Sequence, residues 1–280
     1  MKYTKICKSC NKTQNYKAED SFKLACKKNT VCKNCSSKKR ARRKSDCSFL
    51  LEESLLKYYW LGFIMADGHV SNNRLIIGLN KRDANYLEIL ADKLKTKVKL
   101  RKDVAIISAM HSDVFDKLVF KYKISRTKST NPPDISSITG DNLIAFSIGF
   151  IDGDGCITNL HKRKDFQISI KVHASWLETL KYVFGKAYIQ NSGYAITNIS
   201  NTEDCKNLKK FLLKNDLPYL SRKWNKIDLN YVSRKVIAIN RIQTTKQLLN
   251  QGKSRKEICE ILGISDSGLS LLIKRNNLKW

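Results

Sequence analysis

Acidic residues are scarce in this 280-residue sequence, which contains 25 Asp and Glu against 53 Lys and Arg and carries a formal net charge of +28. Such an imbalance indicates a polyanionic partner, because a protein that neutralises phosphates releases their counterions and gains affinity without reading a sequence. Nucleic acid is the polyanion that this charge favours, and an anionic membrane is the alternative.

The features that direct a chain to a membrane or to secretion are also missing. The longest apolar runs are far too short to span a bilayer, and the N-terminal MKYTKICKSC has no signal-peptide core or lipidation signal. Four of the nine cysteines fall in metal-type pairs and the rest are scattered. We therefore expect a reduced, intracellular chain without a membrane partner.

A hydrophobic content of 42% is sufficient for a folded core, and the patterns along the chain divide it into four units. We predict a four-cysteine zinc module with a basic linker over residues 1–46. Two copies of a repeat follow over 50–140 and 141–231, and a helix-turn-helix domain covers 236–280.

One segment occurs twice and organises the middle of the chain. Residues 55–70 (LLKYYWLGFIMADGHV) align with 141–158 (DNLIAFSIGFIDGDGCIT), so that Gly62 matches Gly149 and Asp67 matches Asp154. Each copy has the pattern of an apolar helix with a glycine in its packing face, and glycine lets two helix backbones approach closely. Two such helices side by side would bring both aspartates together, which suggests a shared metal site.

The elements after each copy repeat the same order, which predicts an α+β fold of two pseudo-symmetric αββαββα repeats. We expect strands at 69–70, 75–79, 98–100, 104–109, 156–158, 166–172, 187–190 and 194–199. Helices are expected at 83–94, 112–122, 174–183 and 202–213, with Ser112 and Thr202 as caps. Outward strand positions are rich in polar and basic residues, which suits either DNA contacts or an ordinary wetted sheet face.

Residues 60–68 (WLGFIMADG) and 147–155 (SIGFIDGDG) resemble the two signature motifs of single-chain LAGLIDADG homing endonucleases. The resemblance covers roughly residues 50–231 and neither end. It implies a saddle-like DNA-binding sheet surface and a monomer that cuts both strands of a long, asymmetric site, leaving short 3′ overhangs. Asp67 and Asp154 would hold catalytic Mg²⁺, which hard oxygen ligands select, with the carbonyls of Ala66 and Gly153 completing the site.

The resemblance also assigns residues at the end of each repeat. In the family a lysine there lies near the metal site, and the best matches are Lys128 and Lys223, which would stabilise charge or order the attacking water. Arg126 and Arg222 are predicted phosphate contacts. The first acid of the motif is not a metal ligand in the family, so we expect Asp152 to cap or contact neighbouring backbone.

The N-terminal module contains two Cys-x-x-Cys pairs about twenty residues apart, a pattern typical of one structural Zn²⁺ in a tetrahedral site. The predicted ligands are Cys7, Cys10, Cys32 and Cys35. Because few apolar residues surround them, metal binding would provide the folding free energy of this module. The basic run that follows is either a solvated linker or a phosphate-binding segment, with Lys38, Lys39, Arg40, Arg42 and Arg43 as the contacts.

The C-terminal unit has the pattern of a helix-turn-helix. A helix over 241–250 precedes a capping box formed by Ser254 and Glu257, and a turn at Gly263 leads to a helix over 266–275. A helix-turn-helix would place four outward residues in the major groove: Ser267, Ser270, Lys274 and Arg275. The alternative is a small helical cap packed on the main domain.

Together these features predict a site-specific, metal-dependent double-strand DNA endonuclease with catalytic Mg²⁺ and structural Zn²⁺. One alternative is a protein that keeps the fold without cleaving, either a maturase that binds intron RNA or a DNA-binding regulator. Another alternative is a structural protein that binds zinc and DNA. The ends lack protein-splicing residues, which argues against an intact intein. The expected location is the cytoplasm or nucleoid of a bacterial or phage-infected cell, in preference to a nucleus or organelle.

Overall fold

A computed structural model describes residues 3–36, 45–71, 74–160, 165–232 and 234–278. The basic run with Lys38, Lys39, Arg40, Arg42 and Arg43 lies outside the described residues. Residues 161–164, the loop expected between the strands at 156–158 and 166–172, lie outside them as well. The N-terminal module is a short hairpin followed by a helix: β1 (Tyr3–Ile6), β2 (Thr13–Tyr16) and α1 (Glu19–Lys27).

The first repeat has the predicted order of elements. It comprises α2 (Leu55–Asp67), β3 (Gly68–Ser71), β4 (Arg74–Asn80), α3 (Ala84–Lys93), β5 (Lys99–Arg101), β6 (Val104–Met110) and α4 (Ser112–Tyr122). Its four strands form an antiparallel sheet in the order β3-β4-β6-β5, with Gly68 opposite Ile77.

The second repeat has the same layout. It comprises α5 (Gly140–Asp154), β7 (Gly155–Leu160), β8 (Asp165–His173), α6 (Leu177–Phe184), β9 (Tyr188–Gln190), β10 (Tyr194–Ile199) and α7 (Thr202–Lys214). The sheet order is β7-β8-β10-β9, again antiparallel, with Gly155 opposite Ile170. The predicted α+β fold with two matching repeats is therefore confirmed.

The helices α2 and α5 pack backbone against backbone at their glycines. A Cβ at Gly62 would lie 2.0 Å from the carbonyl oxygen of Phe146, and a Cβ at Gly149 would lie 1.8 Å from that of Tyr59. Tyr59 and Phe146 are themselves equivalent positions of the two repeats, so the contact is two-fold symmetric. The glycine-dependent helix pairing expected from the repeated segment is confirmed.

Burial on both sides explains why these helices lack an amphipathic stripe. Every residue of α2 from Tyr58 to Met65 is buried, because one face meets α5 and the rest meets the first sheet and Tyr86 of α3. In the sheet, Leu75 and Ile77 alternate with more open neighbours, so one face is covered by helices and the other is left to solvent. A single hydrophobic core runs through both repeats.

Two predicted helix caps are wrong. Helix α4 is capped by His111, whose Nδ1 accepts from the amide of Val114, and α7 is capped by Asn201, whose side chain accepts from Glu203. Ser112 and Thr202 are instead the first helical residues. In both cases the residue before the serine or threonine has extended backbone and its own acceptor, so it takes the capping role.

Two predicted helix bounds also differ. The segment predicted from residue 174 begins with a 3₁₀ turn, Ala174–Trp176, before α6 starts. The helix predicted from residue 241 starts earlier and forms α9 (Arg234–Asn250), after the short helix α8 (Ser221–Trp224). Exposed positions such as Ile237 and Ile239 in its first turns do not follow an amphipathic pattern, which is why the sequence did not reveal them.

The C-terminal unit packs α9 against α10 (Arg255–Leu262) and α11 (Asp266–Arg275). Leu248, Ile258 and Leu269 form its small core. The capping box is present, and Gly263 adopts left-handed backbone (φ 59°) between α10 and α11. Within the described residues, no helix is both long and apolar enough to cross a membrane.

We expect Gly149→Ala to lower the free energy of unfolding by about 1–3 kcal/mol or more, since the new methyl group collides with backbone that cannot rotate away. Gly78→Ala is the matched control, because its Cβ would meet Val104 Cγ1 at an ordinary 3.5 Å. Urea denaturation of both variants tests this prediction. Equal midpoints for the two variants would show that the helix pair tolerates separation.

Candidate functional site

The aspartates of the repeated segment lie at the C-terminal ends of the two packed helices. Asp67 ends α2 and Asp154 ends α5, and in each case the next residue is a glycine that starts a strand. A Cβ at Gly68 or Gly155 would lie 2.6 Å from the carbonyl oxygen of Ile64 or Ile151, so no other residue fits this sharp exit. The fold thereby places two solvent-accessible carboxylates at one end of the helix pair.

The electrostatics of the two carboxylates are coupled. Loss of hydration against the surrounding protein raises the pKa of Asp67, and the charges of Lys223 and Lys128 oppose that rise. The pKa of Asp154 is raised by the same loss of hydration and, in addition, by the negative charge of Asp67. Two neighbouring carboxylates that repel each other are hard oxygen donors suited to a divalent cation, and the residues present fit such an ion.

The two lysines predicted to lie near this site are fixed at the helix ends. Lys128 Nζ donates to the carbonyl oxygens of Met65 (2.6 Å) and Ala66 (2.7 Å). Lys223 Nζ donates to those of Ile151 (2.9 Å), Asp152 (2.7 Å) and Gly153 (2.9 Å). These carbonyls lie in the last turn of a helix, where acceptors lack partners within the helix and the helix dipole favours a cation; Ile151 O also accepts from the Gly155 amide. Burial lowers the pKa of both lysines.

The carbonyls expected to complete a metal site therefore already have a partner. Ala66 O accepts from Lys128, and Gly153 O accepts from Lys223. Each carbonyl oxygen has a second lone pair, so ligation at these two positions stays a prediction. A Cβ at Gly153 would lie 2.3 Å from that of Ala66, which shows how closely the helix ends approach.

Asp152 has a larger role than the expected contact with neighbouring backbone. It is 1% exposed, and its carboxylate accepts from the hydroxyl of Tyr59 (2.6 Å), the indole of Trp224 (2.9 Å) and the amide of Leu220 (3.3 Å). Burial raises its pKa to about 6, although these donors favour the charged form. The first repeat has Met65 here, so this anchor exists in one repeat alone.

The two arginines predicted to contact phosphate differ in their surroundings. Arg126 is exposed. The Nε of Arg222 donates to both carboxylate oxygens of Asp83 (3.0 and 3.1 Å), a buried residue of the first repeat. This ion pair raises the pKa of Arg222 and fixes its guanidinium beside the site. Its remaining N–H groups can still meet a phosphate.

Basic residues that the sequence did not single out lie on outward strand positions and on the connection between α3 and β5. A cavity of 560 Å³ beside β6 is lined by Arg74, Lys95, Thr96, Lys97 and Lys99 among others. In the second repeat Lys171 Nζ lies 4.5 Å from the ring centroid of Tyr194. Alternation on a strand marks such residues as outward-facing, but only the sheet order shows which of them gather in one place.

The four predicted zinc ligands come together in the N-terminal module. The sulfur atoms of Cys7, Cys10, Cys32 and Cys35 all lie within 4.8 Å of one another, and Cys10 Sγ is 3.6 Å from Cys32 Sγ. Tetrahedral Zn–S bonds of about 2.3 Å place sulfur atoms roughly 3.8 Å apart, so the cluster fits this ion. The Cys32 amide donates to Cys7 Sγ and lowers the pKa of that thiol to about 6.

The four residues predicted to enter a major groove lie on α11 and are exposed: Ser267, Ser270, Lys274 and Arg275. Ser270 is already engaged, since its hydroxyl donates to Asp266 O and accepts from Arg255, which also pairs with the carboxylate of Asp266. Whether this face meets DNA stays a prediction.

No protein-family model and no curated protein sequence matches this chain. Among solved structures it is similar to the I-LtrWI LAGLIDADG homing endonuclease bound to target DNA, with 14% identity and a TM-score of 0.40 over 81% of this chain and 98% of that chain. It is also similar to the LAGLIDADG homing endonuclease I-GzeII in complex with a DNA target, with 15% identity and a TM-score of 0.41 over 73% of this chain and 96% of that chain. A third similar structure is the LAGLIDADG meganuclease I-AabMI bound to uncleaved DNA, with 13% identity and a TM-score of 0.39 over 78% of this chain and 96% of that chain. Similarity this low leaves the function to be argued from the site.

We expect Asp152→Leu to lower the free energy of unfolding by roughly 2–5 kcal/mol, because the donors of Leu220 and Trp224 lose their acceptor in the core. Asp152→Asn keeps that acceptor and should restore most of the stability. Met65→Leu is the matched control at the equivalent position. Chemical denaturation measures all three, and an Asp152→Leu variant as stable as the control would contradict the prediction.

Proposed function

We propose that this protein is a site-specific DNA endonuclease that hydrolyses both strands of a duplex bound across its two sheets. One observation carries the proposal: two carboxylates at equivalent helix ends, each with a lysine fixed beside it, lie where those helix ends meet. A structural helix pair needs neither the two accessible acids nor lysines drawn into the helix ends, since removing an ammonium group from water costs free energy.

The sheets provide the binding surface in this proposal. Arg74, Lys97 and Lys99 in the first repeat and Lys171 in the second would contact phosphates and fix the register of the duplex. Arg126, Arg222 and the basic run at 38–44 would add phosphate contacts. The α11 face would extend the footprint into a neighbouring major groove.

Each half of the site would act on one strand. Asp67 and Asp154 would hold a divalent cation beside the scissile phosphates, since a carboxylate by itself repels a phosphate. The ammonium groups of Lys128 and Lys223 would stabilise the negative charge that develops on the phosphate or orient the attacking water. A divalent cation such as Mg²⁺, when bound by the carboxylates, supplies Lewis-acid stabilisation of that charge. Because both halves belong to one chain, we propose a monomer that acts on an asymmetric site inside the cell.

Replacing either carboxylate should separate cutting from binding. We expect Asp67→Asn and Asp154→Asn each to lower double-strand cleavage at least about a hundredfold, because a charged ligand for the divalent cation is lost. Affinity for DNA should stay nearly unchanged. Asp141→Asn, at the other end of α5, is the control that should cut normally.

The measurement is cleavage of a randomised-site plasmid library with Mg²⁺, followed by a binding titration over a range of salt concentrations. A wild-type chain that binds DNA or structured RNA tightly but cuts nothing would overturn the endonuclease and favour the maturase or regulator. Variants that lose binding and unfold would make the acids structural.

We also propose that the cysteine cluster holds a structural zinc ion. The purified chain should contain about one Zn²⁺, and Cys32→Ser should lose it, because three thiolates no longer close the tetrahedron. Cys26→Ser is the control, since Cys26 is an exposed cysteine outside the cluster. Metal analysis with limited proteolysis tests this; equal zinc in both variants would refute the site.

A further inference from the structure

The segments that carry the two lysines are each held by the opposite repeat. The indole Nε1 of Trp176 in the second repeat donates to the carbonyl oxygens of Lys128 (3.0 Å) and Ser129 (3.1 Å) in the first. In the other direction, Asp83 of the first repeat accepts from Arg222, the residue before Lys223. We call these two interactions the crossed contacts.

The crossed contacts arise from equivalent places in the fold. Asp83 ends the 3₁₀ turn Lys81–Asp83 before α3, and Trp176 ends the 3₁₀ turn Ala174–Trp176 before α6. Both residues are buried. The chemistry of the two contacts differs. The Trp176 indole holds the backbone of Lys128, and the Asp83 carboxylate forms an ion pair with Arg222, the neighbour of Lys223.

The polar groups of these two residues do not serve the helix that follows each of them. The Asp83 side chain makes no cap hydrogen bond to α3, and the Trp176 indole, which can only donate, donates to the first repeat. The Trp176 ring packs on Phe150 with its centroid 5.3 Å away, which any aromatic ring would do. The indole N–H and the carboxylate are therefore committed to the crossed contacts.

We propose that Trp176 is the positioning residue for Lys128 and that Asp83 is the positioning residue for Lys223, so that each repeat aligns the lysine of the other. This inference rests on the proposed endonuclease function. It makes the two halves of the site dependent on each other, because a lysine is aligned only when the opposite repeat is correctly docked.

The two lysines depend on the crossed contacts to different degrees. The segment of Lys223 is also tied to Asp152 through the amide of Leu220 and the indole of Trp224. At the position of Asp152 the first repeat has Met65, whose thioether is a weak acceptor. Lys223 is 5% exposed and Lys128 is only half-buried. Lys128 thus relies more heavily on its crossed contact than Lys223 does.

The test uses Trp176→Phe, which keeps the ring and removes the N–H, and Asp83→Ala, which removes the carboxylate. Trp60→Phe is the matched control: Trp60 is a buried tryptophan of the first repeat whose Nε1 has no partner among the described residues. Lys128→Met and Lys223→Met identify which strand each lysine serves. Single-turnover cleavage of a duplex with a different label on each strand gives the two rates.

We expect Trp176→Phe to slow the strand served by Lys128 roughly ten- to a hundredfold, since a displacement of about 1 Å has effects of that size. The other strand should keep nearly its wild-type rate, so nicked duplex accumulates. Asp83→Ala should slow the opposite strand and by a smaller factor, and Trp60→Phe should change neither. Equal slowing of both strands by Trp176→Phe would overturn the proposal and indicate a structural role.

Hydrogen exchange of the free protein provides a readout that does not need cleavage. Trp176→Phe should accelerate amide exchange in residues 124–131 but not in 220–226, and Asp83→Ala should do the reverse. If this pattern appears while the wild type cuts no DNA, the endonuclease is refuted and the crossed contacts stand. If the wild type cuts DNA but exchange is unchanged in both segments, the positioning roles are refuted.

Discussion

The close approach of α2 and α5 is the constraint on which the rest of the structure depends. Gly62 and Gly149 each lie against the backbone of the opposite helix, so the two axes are fixed at a separation that no side chain would permit. Because the helices are related by approximate two-fold symmetry, their C-terminal ends meet at one place. The sheet of each repeat then begins directly after its aspartate, at Gly68 and at Gly155.

The two helix C-termini bring negative charge together, and the two lysines compensate that charge. Unpaired carbonyls and two carboxylates would concentrate negative charge at one point. Lys128 and Lys223 donate to those carbonyls, and their charges oppose the rise in pKa of Asp67 and Asp154. Buried ammonium groups are costly unless paired, so their presence beside accessible carboxylates is the arrangement expected of a site that handles phosphate.

The two repeats are similar in layout but unequal in anchoring. Asp152 joins both central helices to the segment of Lys223, through Tyr59 on one side and Trp224 on the other. Met65 leaves the first repeat without that anchor, and Trp176 of the second repeat holds the segment of Lys128 instead. In the proposed endonuclease, two halves that are supported by different residues would suit a single chain that meets two different DNA half-sites.

The sequence by itself determined the repeated helices, their glycines and acids, the cysteine pairs and the capping box at Ser254, because each is a pattern of near neighbours along the chain. Caps at His111 and Asn201 were missed, since several adjacent residues could have served. Only the tertiary structure decided the partners of Asp152, Trp176 and Asp83. Their hydrogen bonds join residues 93, 48 and 139 positions apart, respectively, and no local pattern encodes a contact that exists only once two helices have packed.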